Sequence, residues 1–298
     1  MTVSSNLRVP FTVKPRRGRF AATIGNLDLG CKLDIATLAS LHRAWMNNPI
    51  LIFPAQGITD DQQISFAKEF GDLEIHPSSA HRSSSHPEIY RVANVDEAGR
   101  IMEPKSANWQ YLELTWLWHT DSSFREIPSM GSILHGIEIP PEGGDTMFAD
   151  MTAAYEALPN DERERARHLR VVHDHDHILS LSKGLSNRAD KGGFDDLPPV
   201  SHPLVRRHPI TGRHSLLLSP HTMAGVEGMA EVESRALLDA LIAHAMEDRF
   251  VYRHQWQKDD VLMWDNRCTM HAVMPYDSST HRRIMHRTTI VGDAVPVV

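Results

Sequence analysis

The stretch WLWHTDSSF, residues 116–124, sets a histidine two residues before an aspartate among apolar neighbours. Burying either side chain without a partner is costly. Two readings follow: a structural His–Asp hydrogen bond, or two ligands of a metal whose third ligand lies elsewhere. A mononuclear iron(II) oxygenase takes two histidines and one carboxylate on one face of the ion and keeps the other face open for a co-substrate and dioxygen. On a strand, side chains i and i+2 point to the same side, so His119 and Asp121 can share one ion. The candidate third ligand is His271 in DVLMWDNRCTMHAV, an apolar strand that ends in a polar turn. A satisfied core histidine explains His271 about as well.

The chain holds 19 histidines, so chance His–acid neighbours are expected and no single pair decides anything. HDHDH at residues 173–177 is the rival cluster. Read as a strand, it puts His173, His175 and His177 on one face, where a three-histidine zinc site is conceivable. At a rise of ~3.3 Å per residue, same-face neighbours stand about 7 Å apart, too far for all three to reach one ion. A surface or pocket-facing histidine face is the blander alternative.

The elements that must position these groups are short. FTVKPRRGRFAATIGNLDLG alternates like an opening hairpin, and IATLASLHRAWMNNP has helical spacing ended by Asn-Asn-Pro. ILIFPAQ reads as a buried strand, and TDDQQISFAKEFG as a helix that Thr59 or Asp60 can cap and Gly71 stops. Residues 78–107 are polar and read as a long loop with one strand, IYRVANV, inside it; such loops are commonly binding lids. SMGSILHGIEIP, LRVVHDHDHILSLS, HSLLLSP, DVLMWDN and RRIMHRTTIVG read as strands. DMTAAYEALPNDERERARH reads as one helix with a second from Pro159, and EVESRALLDALIAHAME as an amphipathic helix. Many short strands with a few helices predict a mainly β fold with flanking helices. No Pro/Gly/Ser linker divides residues 1–298, so a single domain is expected.

Composition narrows the function classes. The formal net charge is −7 with no basic block, which argues against nucleic acid or an anionic membrane as partner. The two cysteines, Cys31 and Cys268, lie far apart and imply neither a zinc knuckle nor a disulfide framework. A cytoplasmic, homo-oligomeric protein without a membrane span is expected.

Four stretches, WHTDSSFREIPS, PPEGGDTMFADMTAAYEALP, HPITGRHSLLL and VLMWDNRCTMHAV…RRIMHRTTIVGD, together resemble the iron(II)- and 2-oxoglutarate-dependent dioxygenases that act on taurine and on 2,4-dichlorophenoxyacetate. With GITDDQQISFAKEFGDLEIHP near the start, the resemblance spans most of the chain in the family's order. It implies a double-stranded β-helix (jelly roll), with His119, Asp121 and His271 holding Fe(II). It makes Thr146 and Arg283 the partners of the distal carboxylate of 2-oxoglutarate, with O2 as second co-substrate. A carboxylate calls for a bidentate, permanently charged anchor, which Arg supplies better than Lys. Arg282 is adjacent, and aligning RRIMHR with the family motif favours Arg283, leaving Arg282 as a solvated strand position.

The same motif places Arg287 where taurine-type members hold the substrate anion, and His76 matches a substrate-contacting histidine of those members. WLWHTDSSFREIP and LLLSPHTMAGVEGM are closer to the phenoxyacetate branch, which brings His221 near the pocket. Trp264 reads as core packing near the iron. Trp116, Trp118, Arg125, His177 and Lys183 are further candidates for the cavity. Halogenating relatives of this chemistry replace the metal carboxylate with a small residue, and Asp121 therefore implies hydroxylation.

The expected function is hydroxylation of a small organic anion, a carboxylic acid such as an aryloxyalkanoate, with succinate and CO2 as co-products. A taurine-like sulfonate or alkyl sulfate dioxygenase is the alternative within the class. Outside it stands a non-catalytic metal-binding jelly-roll protein, in which Thr146, Arg283 and Arg287 would have no purpose.

Overall fold

In the computed structural model, which describes residues 10–298 apart from 17, 19, 78–80, 97 and 182–196, the opening stretch forms the expected antiparallel hairpin of β1 (Thr12–Arg16) and β2 (Ala21–Gly25). Helix α1 (Ile35–Asn47), capped by Asp34, leads into β3 (Ile50–Phe53). Helix α2 (Asp60–Lys68) starts from Thr59, which forms a reciprocal capping box with Gln62. Then come β4 (Tyr90–Ala93), α3 (Ala107–Glu113), a 3-10 turn at Leu114–Trp116, β5 (Gly131–Glu138) and β6 (Thr146–Asp150). Helices α4 (Met151–Glu156) and α5 (Asn160–Arg167) precede β7 (Arg170–His173) and α6 (His175–Leu181). Strands β8 (Val200–Pro203), β9 (Val205–Arg207), β10 (His214–Leu216) and β11 (Met223–Val226) follow. Helix α7 (Glu231–Ala245) leads to β12 (Val251–His254), β13 (Val261–Asp265), β14 (Thr269–Val273) and β15 (Ile284–Ile290).

The protein is thus mainly β with flanking helices. Its largest sheet runs β1-β2-β3-β13-β5-β15-β4, beside three-stranded sheets β12-β6-β14 and β11-β7-β8 and the pair β10-β9. Alternation in the central strands explains the layering, because both faces of the large sheet are buried. Leu51, Phe53, Ile133, Val261 and Met263 face Leu41 and Trp45 of α1 and Phe66 of α2. Ile50, Ile52, Leu134, Leu262, Trp264 and Met285 face the other way, onto Phe148 of β6. Each such side chain contributes roughly 1.5–3 kcal/mol on burial. A third cluster packs α4 and α7 against Val171, Leu204, Leu216 and Met223.

Two expectations are corrected. HDHDH is not a strand: β7 ends at His173, and Asp174 Oδ1 accepts the N–H of Asp176 at 2.9 Å, turning the chain into α6. An Asp side chain that bonds the backbone two residues on competes with a strand ladder, so the period-2 face of three histidines does not form. His-x-Asp is likewise no regular strand. His119 makes a single bridge to His271, and the chain turns at Asp121. Strands β6, β8, β9, β11 and β12 had no counterpart in the sequence reading.

Candidate metal centre and its pocket

Backbone pairing brings the two distant histidines together. His119 N–H donates to His271 O at 2.9 Å and His271 N–H to His119 O at 2.8 Å, a hydrogen-bonded antiparallel pair. Thr120 turns away, its Oγ1 donating to Leu218 O at 3.0 Å and its backbone N–H to Ser219 Oγ. His119 and Asp121 therefore share one side despite the absence of a strand. Asp121 Oδ1 lies 3.9 Å from His119 Nε2, and Oδ2 lies 3.8 Å from His271 Nε2. Two bonds of about 2 Å span about 4 Å end to end, so one ion can reach all three groups. All three are buried.

The donor set fits a divalent ion in its chemistry as well. His119 donates Nδ1–H to Leu117 O at 2.8 Å, which leaves the Nε2 lone pair free. His271 is oriented by packing instead: its ring lies 4.9 Å from Trp264 and stacks on Phe148 at 6.0 Å. Burial pushes both imidazoles below the ordinary histidine range, so they are neutral and able to ligate at neutral pH. Burial alone would raise the Asp121 carboxyl, but the Arg287 guanidinium and the two imidazoles override it and hold it well below the usual carboxylate range.

A relay orients the carboxylate. Trp264 Nε1 donates to Asn266 Oδ1 at 2.8 Å, Asn266 Nδ2 donates to Ser132 Oγ at 3.2 Å, and Ser132 Oγ donates to Asp121 Oδ2 at 2.7 Å. Trp264 is thus core packing, as expected, and also the outer end of this chain. Ser132 carried no signal in the sequence; Asn266 stood inside the quoted WDN without a role.

Burial sorts the arginines. Met285, inside β15, is buried between the sheets and Arg287 lines the cavity, while Arg282 and Arg283 lie just before the strand. Arg282 points out and pairs with Glu138 at 3.1 Å on the surface. Arg283 is 2% exposed, and its Nε donates to Gly144 O at 3.0 Å. Its Nη2 has no hydrogen-bond partner and it forms no ion pair among the described residues. Burial lowers the guanidinium to about 10, which leaves it charged at neutral pH. Gly144 has φ +69°, and a Cβ there would lie 3.2 Å from Arg283 Cδ. Glycine therefore supplies both the left-handed turn and the close approach. An unpaired buried cation in this cradle fits the far carboxylate of a dicarboxylic ligand.

Thr146 opens β6 opposite Val273 of β14, two pairs from Phe148 opposite His271. Its Oγ1 accepts from Trp256 Nε1 at 2.9 Å. The loop that delivers Arg283 is clamped by buried Asn94, whose Nδ2 donates to Ser278 O and His281 O at 2.7 and 2.8 Å, and whose Oδ1 accepts Arg283 N–H at 2.7 Å. Asn94→Ala is expected to lower stability by about 2–4 kcal/mol, since it strands several buried groups. A denaturant titration checks it, and a loss below about 0.5 kcal/mol would show that the loop holds itself.

A cavity of about 90 Å³ opens beside His119 and Asp121. Its polar wall carries Arg287, His76, His221 and Arg125; its apolar wall carries Tyr111, Leu114, Phe124 and Ile178. Arg287 Nη1 donates to Asp121 Oδ1 at 2.6 Å, and its guanidinium lies 4.7 Å over the Tyr90 ring. His76 packs on Tyr90 at 4.7 Å. The His221 ring is 5.1 Å from His119, and burial beside His119 and His175 holds it well below its ordinary value. His221 thus faces the pocket as a neutral imidazole.

Other candidates lie elsewhere. Trp118 packs against the α4–α7 cluster and Trp116 against Tyr276 at 6.1 Å, so neither lines the cavity. His177 is on α6 but outside the lining, and Lys183 lies outside the described residues. Of the rival cluster, His173 bonds Thr222 Oγ1 at 2.8 Å, while His175 lines the pocket. A second compact group, His208, Asp265 and Cys268, is closed to a cation because Arg267 already holds both Asp265 oxygens, at 2.9 and 2.7 Å.

No helix among the described residues is long and apolar enough to cross a membrane. The sequence profile described as taurine catabolism dioxygenase TauD, TfdA family matches residues 12–289. An alpha-ketoglutarate-dependent 2,4-dichlorophenoxyacetate dioxygenase from Cupriavidus pinatubonensis is 36% identical over 94% of this chain and 98% of its own length. An alpha-ketoglutarate-dependent sulfate ester dioxygenase from Pseudomonas putida is 33% identical over 96% of this chain and 90% of its own. Among solved structures, AAD-2 in complex with Mn(II) and N-oxalylglycine superposes with a TM-score of 0.85 at 34% identity, covering 97% of this chain and 98% of that one.

Proposed function

The chain belongs to the taurine catabolism dioxygenase TauD, TfdA family, and from that premise we propose that it is an Fe(II)- and 2-oxoglutarate-dependent dioxygenase that hydroxylates a small organic anion, a carboxylic acid such as an aryloxyalkanoate. The observation that carries this reading is the convergence of His119, Asp121 and His271, together with a buried arginine, Arg283, that forms no ion pair among the described residues. Residues 1–298 are read as one double-stranded β-helix domain acting in the cytoplasm as a homo-oligomer, which sedimentation of the purified chain checks.

The metal, when bound with 2-oxoglutarate and O2, would supply the oxidative decarboxylation of 2-oxoglutarate to succinate and CO2, in which one oxygen atom of O2 ends in succinate and the other on the substrate. The chain does the rest. His119, Asp121 and His271 hold the ion on one face, and the relay from Trp264 through Ser132 keeps Asp121 turned inward. Arg283 and Thr146 anchor the distal carboxylate. Arg287 and His76 hold the substrate anion, while Tyr111, Leu114, Phe124 and Ile178 take its apolar part and exclude water. A sulfonate or alkyl sulfate is the second reading, favoured by the Pseudomonas putida relative. A guanidinium accepts either anion.

Succinate release is the assay, run over aryloxyalkanoates, sulfonates and alkyl sulfates. For an accepted acid, its methyl ester removes the anion that Arg287 meets beyond Asp121 in a partly dry site and is expected to lose about 2–5 kcal/mol of productive binding. In Arg287→Ala the acid should fall to the level of the ester. Equal turnover of acid and ester by the wild type would contradict anion recognition, and activity on sulfonates or sulfates alone would establish the second reading.

A further inference from the structure

A threonine hydroxyl both donates and accepts, and it rotates to suit its neighbours. At Thr146 one neighbour removes that freedom. Trp256 Nε1 donates to Thr146 Oγ1 at 2.9 Å, and Thr146 is 1% exposed with no other side-chain partner among the described residues. An indole N–H only donates, so it occupies an Oγ1 lone pair and leaves the hydroxyl proton for a different acceptor. Arg283 stands at the same corner: its Nε bonds Gly144 O, two residues before Thr146, and its Nη2 is buried without a partner. Two donors without acceptors, one of them charged, mark a place for a carboxylate.

Trp256 is itself held firmly. His254 pairs with Thr146 across β12 and β6, and Trp256 follows two residues later on the same side. Its ring is 4% exposed, packs among Leu134, Leu262 and Met285, and meets His254 edge-on at 4.8 Å. Asp260 pins the turn behind it, accepting Gln257 N–H at 3.1 Å and Ala55 N–H at 3.3 Å.

We propose that Trp256 is a positioning residue for the co-substrate: its N–H fixes the Thr146 hydroxyl so that the proton points at the distal carboxylate that Arg283 neutralises. This rests on Thr146 and Arg283 being the 2-oxoglutarate anchor. An orienting partner tightens binding only of ligands that carry the distal carboxylate.

The test is calorimetric titration of the Mn(II)-loaded chain with 2-oxoglutarate and with 2-oxobutyrate, which lacks that carboxylate. Trp256→Phe should weaken 2-oxoglutarate about tenfold, by the scale of one hydrogen bond to a charged group, and leave 2-oxobutyrate unchanged. Thr146→Val should do the same, and the double variant should be no worse than Thr146→Val alone, because no hydroxyl remains to orient. Should Phe unfold the chain, 3-benzothienylalanine at position 256 keeps the bicyclic shape without the N–H. Equal weakening of both ligands, additive losses in the double variant, or an unchanged 2-oxoglutarate affinity would each overturn the role of Trp256. A wild type that binds the two ligands equally would instead remove the anchor itself, and the role of Trp256 with it.

Discussion

Replacing His119, Asp121 or His271 by alanine is expected to abolish metal-dependent turnover while the chain stays folded. Each change removes one of three ligating groups, and the backbone bonds that hold residues 119 and 271 together survive it, since they use main-chain atoms alone. Metal affinity, read by equilibrium dialysis, should fall by more than the 10–100-fold typical of losing a partner behind a ligand. Ser132→Ala removes only such a partner of Asp121 and should stay within that range. Asp121→Ala is the least benign for stability, because it strands the Arg287 guanidinium as well. His173→Gln and His175→Gln should keep the metal. Full activity in any of the three ligand variants would show that ligand to be misassigned, and metal loss in His173→Gln would move the centre to the rival cluster.

Arg283→Ala is expected to raise the 2-oxoglutarate requirement by about 3–5 kcal/mol, the cost of leaving one member of a buried charge pair alone. That is a factor of roughly 150 to 5,000 in apparent affinity. Thr146→Val should cost less, roughly 1.5–3 kcal/mol for one hydrogen bond to a charged group. Arg282→Ala breaks only the surface pair with Glu138, and such pairs are worth about 0–1 kcal/mol. Titrating 2-oxoglutarate against the three variants ranks them. A large effect in Arg282→Ala with a small one in Arg283→Ala would contradict the assignment of Arg283 as the buried anchor.

The grouping of His119, Asp121 and His271 was legible because its parts carry unusual local chemistry: an acid and a histidine among tryptophans, and a histidine after an apolar strand. The arginine register needed more. Spacing leaves Arg282 and Arg283 equivalent, and only the folded positions separate them, Arg283 buried and Arg282 paired with Glu138 at the surface. HDHDH was misread because its alternation is real in composition, while the Asp174 side chain terminates the strand by a hydrogen bond that no periodicity records. The tryptophans at 116 and 118 were offered to the cavity by proximity in sequence alone, and a 3-10 turn and a single bridge rotate them away. Asn94, Ser132 and Trp256 were illegible for a common reason. Each acts through one hydrogen bond or a few to residues far along the chain, and nothing local distinguishes them from ordinary core positions.

The central claim is that one ion held by His119, Asp121 and His271 is chelated by 2-oxoglutarate whose far end reaches Arg283. Anaerobic addition of 2-oxoglutarate to the Fe(II)-loaded chain tests it most directly. A violet charge-transfer band is expected, present in the wild type, absent in His271→Ala, and demanding far more 2-oxoglutarate in Arg283→Ala. A chain that binds Fe(II) but gives no band at saturating 2-oxoglutarate, or one whose band survives in His271→Ala, would contradict the claim.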